Sequence, residues 1–340
     1  MAIRIAVDAM GGDKAPAVVV EGAIRAVKEE PAIQVLLFGR EDLIRHELDR
    51  VGGAGDLPIQ IVNATDVIDM GEAPAAAVKN KQGSSIHIGL GAHKQGKADA
   101  FVSAGNTGAV MAASLFILGR LPGVARPSVM GFFPTTQSYC VVLDVGTNVD
   151  CRPEHFVQFA RMGAVYASVV MKRENPRIGL LNIGEERGKG NEQTKSAFDA
   201  LNAAPGINFK GNVEGRELMH HVADVVVCDG FVGNVMLKFG ESMATAFPHM
   251  VAEEMTRQKL SDEEMSLVVR VLSAVRKRFN YEEYGGAPLL GVDGHVLIGH
   301  GGSSSRAVER MILTAAEEAR GDVAGAIARA LGKESDIQRT

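Results

Sequence analysis

The sequence contains no tryptophan, and aromatic residues make up only 5% of its 340 positions. So few aromatic side chains argue against a surface on which the bases of single-stranded nucleic acid could stack. The charge agrees, because 36 Lys and Arg against 41 Asp and Glu leave a net charge of −5. Nucleic-acid-binding domains are usually basic, so we expect no nucleic-acid partner.

Cysteine is also scarce. The three cysteines, Cys140, Cys151 and Cys228, form no C-x-x-C pair, which argues against a disulfide scaffold and a zinc ribbon. No apolar run approaches the ~20 residues of a membrane-spanning helix. The first residues open directly into a strand-like run without the pattern of a secretory signal. We therefore expect a cytoplasmic protein.

What the sequence does contain is an alternation of two patterns. Hydrophobic residues make up 46% and charged residues 23%, a composition typical of globular proteins. Apolar runs of strand length alternate with longer helical patterns, and the runs 3–7, 177–183 and 222–228 are almost continuously apolar. Such runs are typical of strands buried on both faces, so the alternation predicts a parallel, doubly wound α/β sheet. We expect one α/β catalytic unit over residues 1–340.

Residues 240–284 interrupt the alternation. Apolar positions such as Met265, Val269 and Leu272 recur there at helical spacing, which predicts a helical excursion. Pro248 is expected to start or kink a helix. The apolar stripe has several interpretations: core packing, a dimer interface, an acyl channel, or a tip that dips into a bilayer while basic residues meet anionic lipid. Those basic residues are Arg270, Arg276, Lys277 and Arg278.

Glycine is abundant, with 39 residues, and it gathers where apolar runs end. Six segments rich in Gly, Asn, Ser and Asp follow predicted strands: 8–13, 104–108, 144–148, 184–190, 229–234 and 299–305. Glycines let backbone N–H groups approach a ligand closely, and a helix N-terminus favours an anion. Since ligands bind at the carboxyl ends of parallel strands, the set predicts a phosphate-binding crevice. Each loop taken alone is equally well explained as a turn or helix cap.

Standard nucleotide motifs are missing, because no G-x-G-x-x-G follows the first strand and Gly190 stands where a P-loop needs Ser or Thr. We therefore favour a small anion such as free phosphate. Lys189 is the most suggestive charge, since it lies in a glycine-rich loop after a buried strand, where a cation can face a phosphate or a developing oxyanion. Asp8, Asp144 and Asp229 follow strands and suit a metal, a base or a helix cap. His300 is well placed but has no triad around it.

In order along the chain, the motifs resemble those of bacterial phosphate acyltransferases, the acyl-carrier-protein-dependent enzymes of phospholipid synthesis. They are DAMGGD at 8–13, VSAGNTGA at 102–109, LDVG at 143–146, LNIGEE at 181–186, GNVEG at 211–215, DGFVGN at 229–234 and YGGAPLLG at 284–291. The resemblance covers essentially the whole chain. Gly302 departs from it, since a larger residue is expected there, and Pro248 is a second departure.

The resemblance implies a Rossmann-like three-layer sandwich similar to isopropylmalate dehydrogenases and phosphotransacetylases. It implies reversible formation of acyl phosphate from acyl-[acyl-carrier-protein] and inorganic phosphate, with no cofactor and no metal. It implies a homodimer and a product passed to a membrane glycerol-3-phosphate acyltransferase. It also implies peripheral contact with the inner face of the membrane, where the basic residues of the excursion could equally meet the acidic carrier protein.

The resemblance assigns Lys189 and Asn234 to phosphate and oxyanion contacts, with Asp229 orienting one of them and Asp8 orienting the first loop. Phosphate is then itself the nucleophile. The predicted substrate-binding residues are Asp8, Gly11, Gly12, Ser103, Gly105, Asn106, Thr107, Gly108, Gly233 and His300.

Three alternatives stay open at this point. The first is an NAD-dependent decarboxylating dehydrogenase, which shares the expected fold and is also compatible with the segment around His300. That chemistry, however, needs clustered metal-binding aspartates. A phosphotransacetylase that uses coenzyme A is closer to the motifs. A phosphate-sensing or carrier-binding scaffold without turnover is the non-enzymatic reading.

Overall fold

The computed structural model describes the backbone of residues 2–278 and 281–337. The side chains at 245, 276–278, 281–282 and 333–337 lie outside this description, and they include those of the predicted basic residues Arg276, Lys277 and Arg278. The described residues form two compact units. Unit 1 comprises Met1–Met130, Arg161–Asn175 and Tyr284–Thr340; unit 2 comprises Gly131–Ala160 and Pro176–Glu283.

Strands and helices alternate as the apolar pattern predicts. The strands are β1 (Ile3–Asp8), β2 (Ile33–Gly39), β3 (Ile59–Asn63), β4 (Ala100–Ser103), β5 (Ser128–Pro134), β6 (Tyr139–Leu143), β7 (Ile178–Asn182), β8 (Phe209–Glu214), β9 (Val225–Val227), β10 (Ala287–Leu290) and β11 (Val296–Ile298). The helices are α1 (Ala17–Glu29), α2 (Glu41–Arg50), α3 (Pro74–Asn80), α4 (Ser85–Lys94), α5 (Thr107–Ile117), α6 (Pro153–Val169), α7 (Glu192–Ala203), α8 (Gly230–Arg257), α9 (Asp262–Arg278), α10 (Ser305–Arg320) and α11 (Val323–Ile337). Two short 3₁₀ helices cover Gly215–His220 and Tyr281–Tyr284.

In unit 1 the strand order is β3-β2-β1-β4-β11-β10. The first five of these strands are parallel. The core on one face of this sheet combines alternate residues of β1 and β2, such as Ile5 and Val35, with apolar residues of α1 and α10, such as Val20 and Ile312. Helix α4 packs on the other face against β1, β2 and β4. Helices on both faces of the sheet make a three-layer α/β architecture.

In unit 2 the strand order is β6-β9-β7-β8, and these strands are parallel. Helix α7 packs against β7 and β8. Helix α8 starts directly after β9, because Asp229 caps its N-terminus. Burial on both faces explains why Val225, Val226 and Val227 are all apolar.

The structure corrects several predictions. The sheet is mixed, because β10 runs antiparallel to β11 and to the start of β5. Pro248 does not start a helix, because it lies inside α8, which begins at Gly230; the alternative expectation, that it kinks a helix, stays a prediction. Proline leaves the carbonyl of Ala244 without its helical N–H donor, and the neighbouring Phe247 and His249 are exposed, so water can reach this flank.

The helical excursion is confirmed as two helices, α8 and α9, although α8 begins ten residues before the predicted start at residue 240 and residues 279–280 lie outside the description. None of the described helices combines the length and the apolar character needed to cross a bilayer. The prediction that 1–340 acts as one catalytic unit stays a prediction.

Candidate active site

Asp8, at the carboxyl end of β1, is the buried centre of the first group of predicted residues. The Ser103 hydroxyl donates to Oδ2 of Asp8 at 2.6 Å, and the Met10 N–H donates to Oδ1 at 3.0 Å. Ser85, at the start of α4, also hydrogen-bonds to this carboxyl, and burial raises the pKa of Asp8. The carboxylate therefore holds together the end of β1, the end of β4 and the start of α4.

Two glycines let the loops after β1 and β4 touch. A Cβ on Gly11 would lie 2.5 Å from Oδ2 of Asp8 and 2.6 Å from the backbone nitrogen of Gly105. The Gly105 N–H in turn donates to the Ser103 hydroxyl at 3.0 Å. Gly12 has a φ of +107°, which favours glycine. The structure thus brings Asp8, Gly11, Ser103 and Gly105 into one cluster, as the sequence predicts.

Asn106 caps α5. Its Oδ1 accepts from the Ala109 N–H at 3.0 Å, while Nδ2 donates to the carbonyls of Asp69, Met70 and Glu72 at 3.0–3.2 Å. The side chain is occupied by these bonds, so its contribution to an anion site is the placement of the helix start. The first N–H groups of α5, at Thr107 and Gly108, have no partner within the helix and carry the positive end of its dipole.

The segment around His300 joins this cluster through backbone contacts. The Asp13 N–H donates to the Gly301 carbonyl at 2.8 Å. His300 is exposed, and its Nδ1 accepts from the Gly302 N–H at 3.1 Å. A Cβ on Gly302 would meet nothing closer than this ring nitrogen, at 3.4 Å, which is an ordinary van der Waals contact.

In unit 2, Asp144 at the end of β6 is the matching buried carboxyl group. Its Oδ1 accepts from the Thr147 N–H at 3.2 Å, and Oδ2 accepts from the N–H and Nδ2 of Asn148 at 2.6 and 2.5 Å. Burial raises the pKa of Asp144 to about 6. These three bonds fix the loop 144–148.

The start of α8 packs backbone to backbone on that loop. The Gly230 N–H donates to the Asn148 carbonyl at 2.7 Å, and a Cβ on Gly233 would lie 1.9 Å from the Asp144 carbonyl oxygen. Asp229 accepts the Val232 N–H at 2.9 Å and therefore acts as a helix cap. Asn234 is exposed and flanks the loop, 3.6 Å from where a Cβ on Gly146 would stand.

Lys189 lies in the loop between β7 and α7. Its side chain is half exposed, and Nζ is 3.9 Å from Oε2 of Glu186. Its carbonyl accepts from Nδ2 of Asn182 at 3.2 Å, which ties the loop to the end of β7. Among the residues whose side chains are described, no hydrogen bond or ion pair joins Lys189 to Asn234 or Asp229. The ammonium group is open to solvent and to an anionic ligand.

The chain is similar to several known proteins in sequence and in fold. A model of the family described as "Fatty acid synthesis protein" matches residues 3–325. The phosphate acyltransferase of Salinibacter ruber is 55% identical over 98% of this chain and 99% of its own length. The phosphate acyltransferase of Endomicrobium trichonymphae is 46% identical over 96% and 97%. The chain belongs to the phosphate acyltransferase family.

The fold agrees with the expected class. A phosphotransacetylase from Streptococcus pyogenes matches with a TM-score of 0.62 at 21% identity, over 93% of each chain. A likeness at this identity shows the fold alone. With the family, it makes the chain a transferase of fatty acid and phospholipid synthesis built on a three-layer α/β sandwich.

In this member of the phosphate acyltransferase family, the sequence did not predict two residues that hold the buried carboxylates Asp8 and Asp144 in place. Ser85 bonds to Asp8 from a distant helix start, which no local pattern signals. Asn148 lies in a loop that we did select, yet its double contact with Asp144 depends on burial. Among the described residues, no group of three or more His, Cys, Asp or Glu side chains is arranged to hold a metal ion.

Proposed function

We propose that this chain forms acyl phosphate reversibly from acyl-[acyl-carrier-protein] and inorganic phosphate, feeding phospholipid synthesis. Phosphate is the nucleophile. One of its oxygens bonds to the thioester carbonyl carbon, a tetrahedral oxyanion forms, and the C–S bond breaks. The carrier thiolate leaves and takes up a proton from phosphate or water. No acyl-enzyme intermediate is formed.

The observation that carries this mechanism is the state of the three cysteines. All are buried and free, and burial raises the pKa of Cys140 to about 12 and that of Cys228 well above its ordinary value. A thiol must ionise to attack a thioester, so Cys140 and Cys228 are poor nucleophiles at neutral pH. Phosphate already carries negative charge there and needs only positioning, which contributes up to ~7–11 kcal/mol in favourable cases.

The residue roles in the proposal follow the sequence assignment. Lys189 and Asn234 contact phosphate and the developing oxyanion, and Asp229 acts by fixing the start of α8, which carries Asn234. The N–H groups at Thr107 and Gly108, at the start of α5, offer anion contacts of the kind found at helix N-termini. Asp8 holds their loops in place.

The proposal is tested by incubating palmitoyl-[acyl-carrier-protein] with phosphate and trapping acyl phosphate with hydroxylamine. Lys189→Ala should fold and lose about 10²–10³ in rate, the usual cost of one oxyanion donor. Lys195→Ala is a matched control, since Lys195 is an exposed lysine of the same unit whose side chain pairs with Glu192. Wild-type rates for Lys189→Ala would remove Lys189 from the mechanism.

The acyl donor is tested in the same assay by competition between acyl-[acyl-carrier-protein] and acyl-coenzyme A. Preference for coenzyme A would reassign the protein to phosphotransacetylase chemistry. Production of NADH from a hydroxy acid would favour the dehydrogenase alternative. Binding of phosphate and carrier protein without turnover would leave only the scaffold.

Helices α8 and α9 support the proposed partners. Exposed apolar side chains recur along α8 every three or four residues: Phe231, Val235, Phe239, Met243, Phe247 and Met250. On α9, Leu267, Val271 and Val275 do the same. Contiguous apolar patches of this kind usually mark interaction surfaces. We assign the α8 stripe to a second copy of the chain, and the region of the α8–α9 turn to the inner face of the membrane near the membrane acyltransferase that takes up the product.

Two measurements separate these contacts. Phe239→Glu should shift sedimentation from dimer to monomer and leave flotation with anionic liposomes in place. Leu260→Glu, at the α8–α9 turn, should reduce flotation and keep the dimer. Identical flotation of Leu260→Glu and wild type would remove Leu260 from the membrane contact.

A further inference from the structure

A cavity of about 440 Å³ lies in unit 1 on the sheet face that carries α4. Its apolar lining is Leu36 and Phe38 of β2, Val62 of β3, and Ile88 and Ala92 of α4. The volume falls within the ~300–1,000 Å³ of small-molecule sites, which are mostly apolar with a few placed polar groups. None of the lining residues belongs to the loops assigned to phosphate.

The strand register gives the cavity a direction. Arg4 is paired with Gln34 at the start of β1 and β2, whereas Phe38 is paired with Val62 towards their carboxyl ends. The four steps from Arg4 to Asp8 in β1 correspond to ~13 Å of strand. One end of the cavity is therefore polar and the other apolar, with a length suited to an extended alkyl chain.

The charged side chains that line the polar end are both cations. Among the described residues, Arg4 and Lys97 line it together with Gln34 and Gln95, and Arg4 is already paired with Asp99, so Lys97 supplies the uncompensated charge. The bonds from Arg4 to Asp99 use the backbone N–H, Nε and Nη2, which leaves Nη1 for another acceptor. Lys97 is exposed and forms no ion pair within the described part of the chain. Both cations suit an anionic head group.

The cavity is open along the edge of the sheet. Among the described residues, β3 pairs with β2 alone, and Gln60 on this edge strand is exposed beside the buried Leu36, its register partner. An amide at the rim adds a neutral hydrogen-bonding group next to the apolar floor.

We propose that this cavity binds a single-chain amphiphile with an anionic head group. Its alkyl chain lies on Leu36, Phe38 and Val62, and its carboxylate or phosphate lies at Lys97 and Arg4. A ligand without an alkyl chain would leave Leu36, Phe38 and Val62 in contact with water. A ligand without a negative charge would not pair with Lys97. This inference does not depend on the proposed reaction, because none of its residues takes part there.

The test uses the absence of tryptophan from the natural sequence. Gln60→Trp places a single indole at the exposed rim, and Lys28→Trp places one on α1, which packs on the opposite face of the sheet, as the control. Decyl phosphate and decanoate, kept below their aggregation concentrations, should shift the emission of Gln60→Trp saturably and leave Lys28→Trp unchanged. The tighter of the two probes identifies the head group.

Charge and chain are then tested separately. Adding Lys97→Glu to the Gln60→Trp protein should weaken decyl phosphate binding at least tenfold, and 1-decanol and inorganic phosphate alone should bind at least tenfold more weakly than decyl phosphate. Calorimetry on the natural chain and on Lys97→Glu repeats the comparison without the indole. Equal affinity of both proteins, equal binding of 1-decanol, or an identical shift in Lys28→Trp would overturn the proposal. Acyl phosphate formation by Lys97→Glu should be unchanged, so failure of this inference and failure of the proposed function are distinguishable.

Discussion

The two units contain the same ion-pair motif at the amino ends of neighbouring parallel strands. In unit 1, the backbone N–H and Nε of Arg4 donate to Oδ2 of Asp99, and Nη2 donates to Oδ1. In unit 2, Arg177 and Asp224 make the same three bonds. Each Asp directly precedes the strand that pairs with the strand of its Arg. The carboxylate therefore satisfies an N–H group that starts a strand.

The surroundings of the two motifs differ. The Asp99 side chain is 31% exposed, whereas that of Asp224 is 8% exposed. Asp224 also meets the buried His221, whose Nε2 is 3.2 Å from Oδ1 and whose Nδ1 is 3.1 Å from the Thr135 hydroxyl. The Arg4–Asp99 pair is thus partly exposed to water, whereas Asp224 of the Arg177–Asp224 pair lies buried in a polar network with His221. Bond geometry alone does not set the energetic weight of an ion pair; burial does.

The carboxyl ends of the strands show a related difference. Asp8 in unit 1 binds hydroxyl groups and a loop N–H, while Asp144 in unit 2 binds three N–H groups of one loop. Both are buried, and burial raises the pKa of each. Unit 1 uses its carboxylate to join separate elements, and unit 2 uses it to shape a single loop under α8.

The largest effect is expected from the glycine that lets α8 touch this loop. Gly233→Ala places a Cβ against the Asp144 carbonyl oxygen, and overpacking against backbone should lower the free energy of unfolding by at least about 3 kcal/mol. Alanine in a helix otherwise contributes about 1 kcal/mol relative to glycine. Urea denaturation measures the change.

The control for this change comes from the other unit. Gly91 lies inside α4 with nothing within 4 Å of a Cβ, so Gly91→Ala should stabilise the protein by up to about 1 kcal/mol. Opposite signs for the two substitutions support the packing described here. A Gly233→Ala protein as stable as wild type would contradict the close approach of α8 to the loop.

The two Arg–Asp pairs give the next largest effect. Asp224→Ala should cost about 3 kcal/mol, because it removes the buried carboxylate that accepts from Arg177 and faces His221. Asp99→Ala should cost about 1 kcal/mol, since its more exposed pair is replaced in part by water. Both are read from urea midpoints at pH 7. Equal losses would show that burial does not separate the motifs.

Sequence reasoning found the parts of the fold that rest on local pattern. The apolar runs 3–7, 177–183 and 222–228 predicted the strands β1, β7 and β9, and the helical excursion was predicted from apolar spacing. Strand β8 was missed because Lys210, Gly211 and Asn212 interrupt its apolar pattern, and β10 because it is short and contains Pro288. Strands that form because of their pairing with a neighbouring strand are hard to predict from their own residues.

The candidate site divides in the same way. The glycine and aspartate loops were identifiable, because turns at the ends of parallel strands require small residues and caps. A helix cap was one of three roles that the sequence allowed for Asp229, and the structure shows that bond. The full occupation of the Asn106 side chain depends on which groups lie nearby, so only the structure shows it. The roles of Lys189 and Asn234 in the reaction stay predictions for the assay described above.

The last expected effect depends on pH and compares two titrating groups, one from each unit. The pKa of Asp144 is raised to about 6 from 3.8, and that of His295 in unit 1 is lowered to about 4 from 6.5, both by burial. Between pH 4 and 6 the folded protein keeps a proton on Asp144 that the unfolded chain has released, so this group lowers stability as the pH rises. Over the same range the unfolded chain holds a proton on His295 that the folded protein has released, so this group raises stability as the pH rises.

The two contributions therefore oppose each other in the natural protein and are separated by substitution. Between pH 4 and 6, Asp144→Asn should gain about 2–3 kcal/mol relative to wild type, from ~1.4 kcal/mol per unit of pKa shift. Across pH 4–6.5, His295→Gln should lose a similar amount relative to wild type. Urea midpoints at half-unit pH steps measure both differences. Parallel pH profiles for wild type and Asp144→Asn would mean that the carboxyl group under α8 titrates like one in water, and the comparison between the two strand-end carboxylates would then rest on geometry alone.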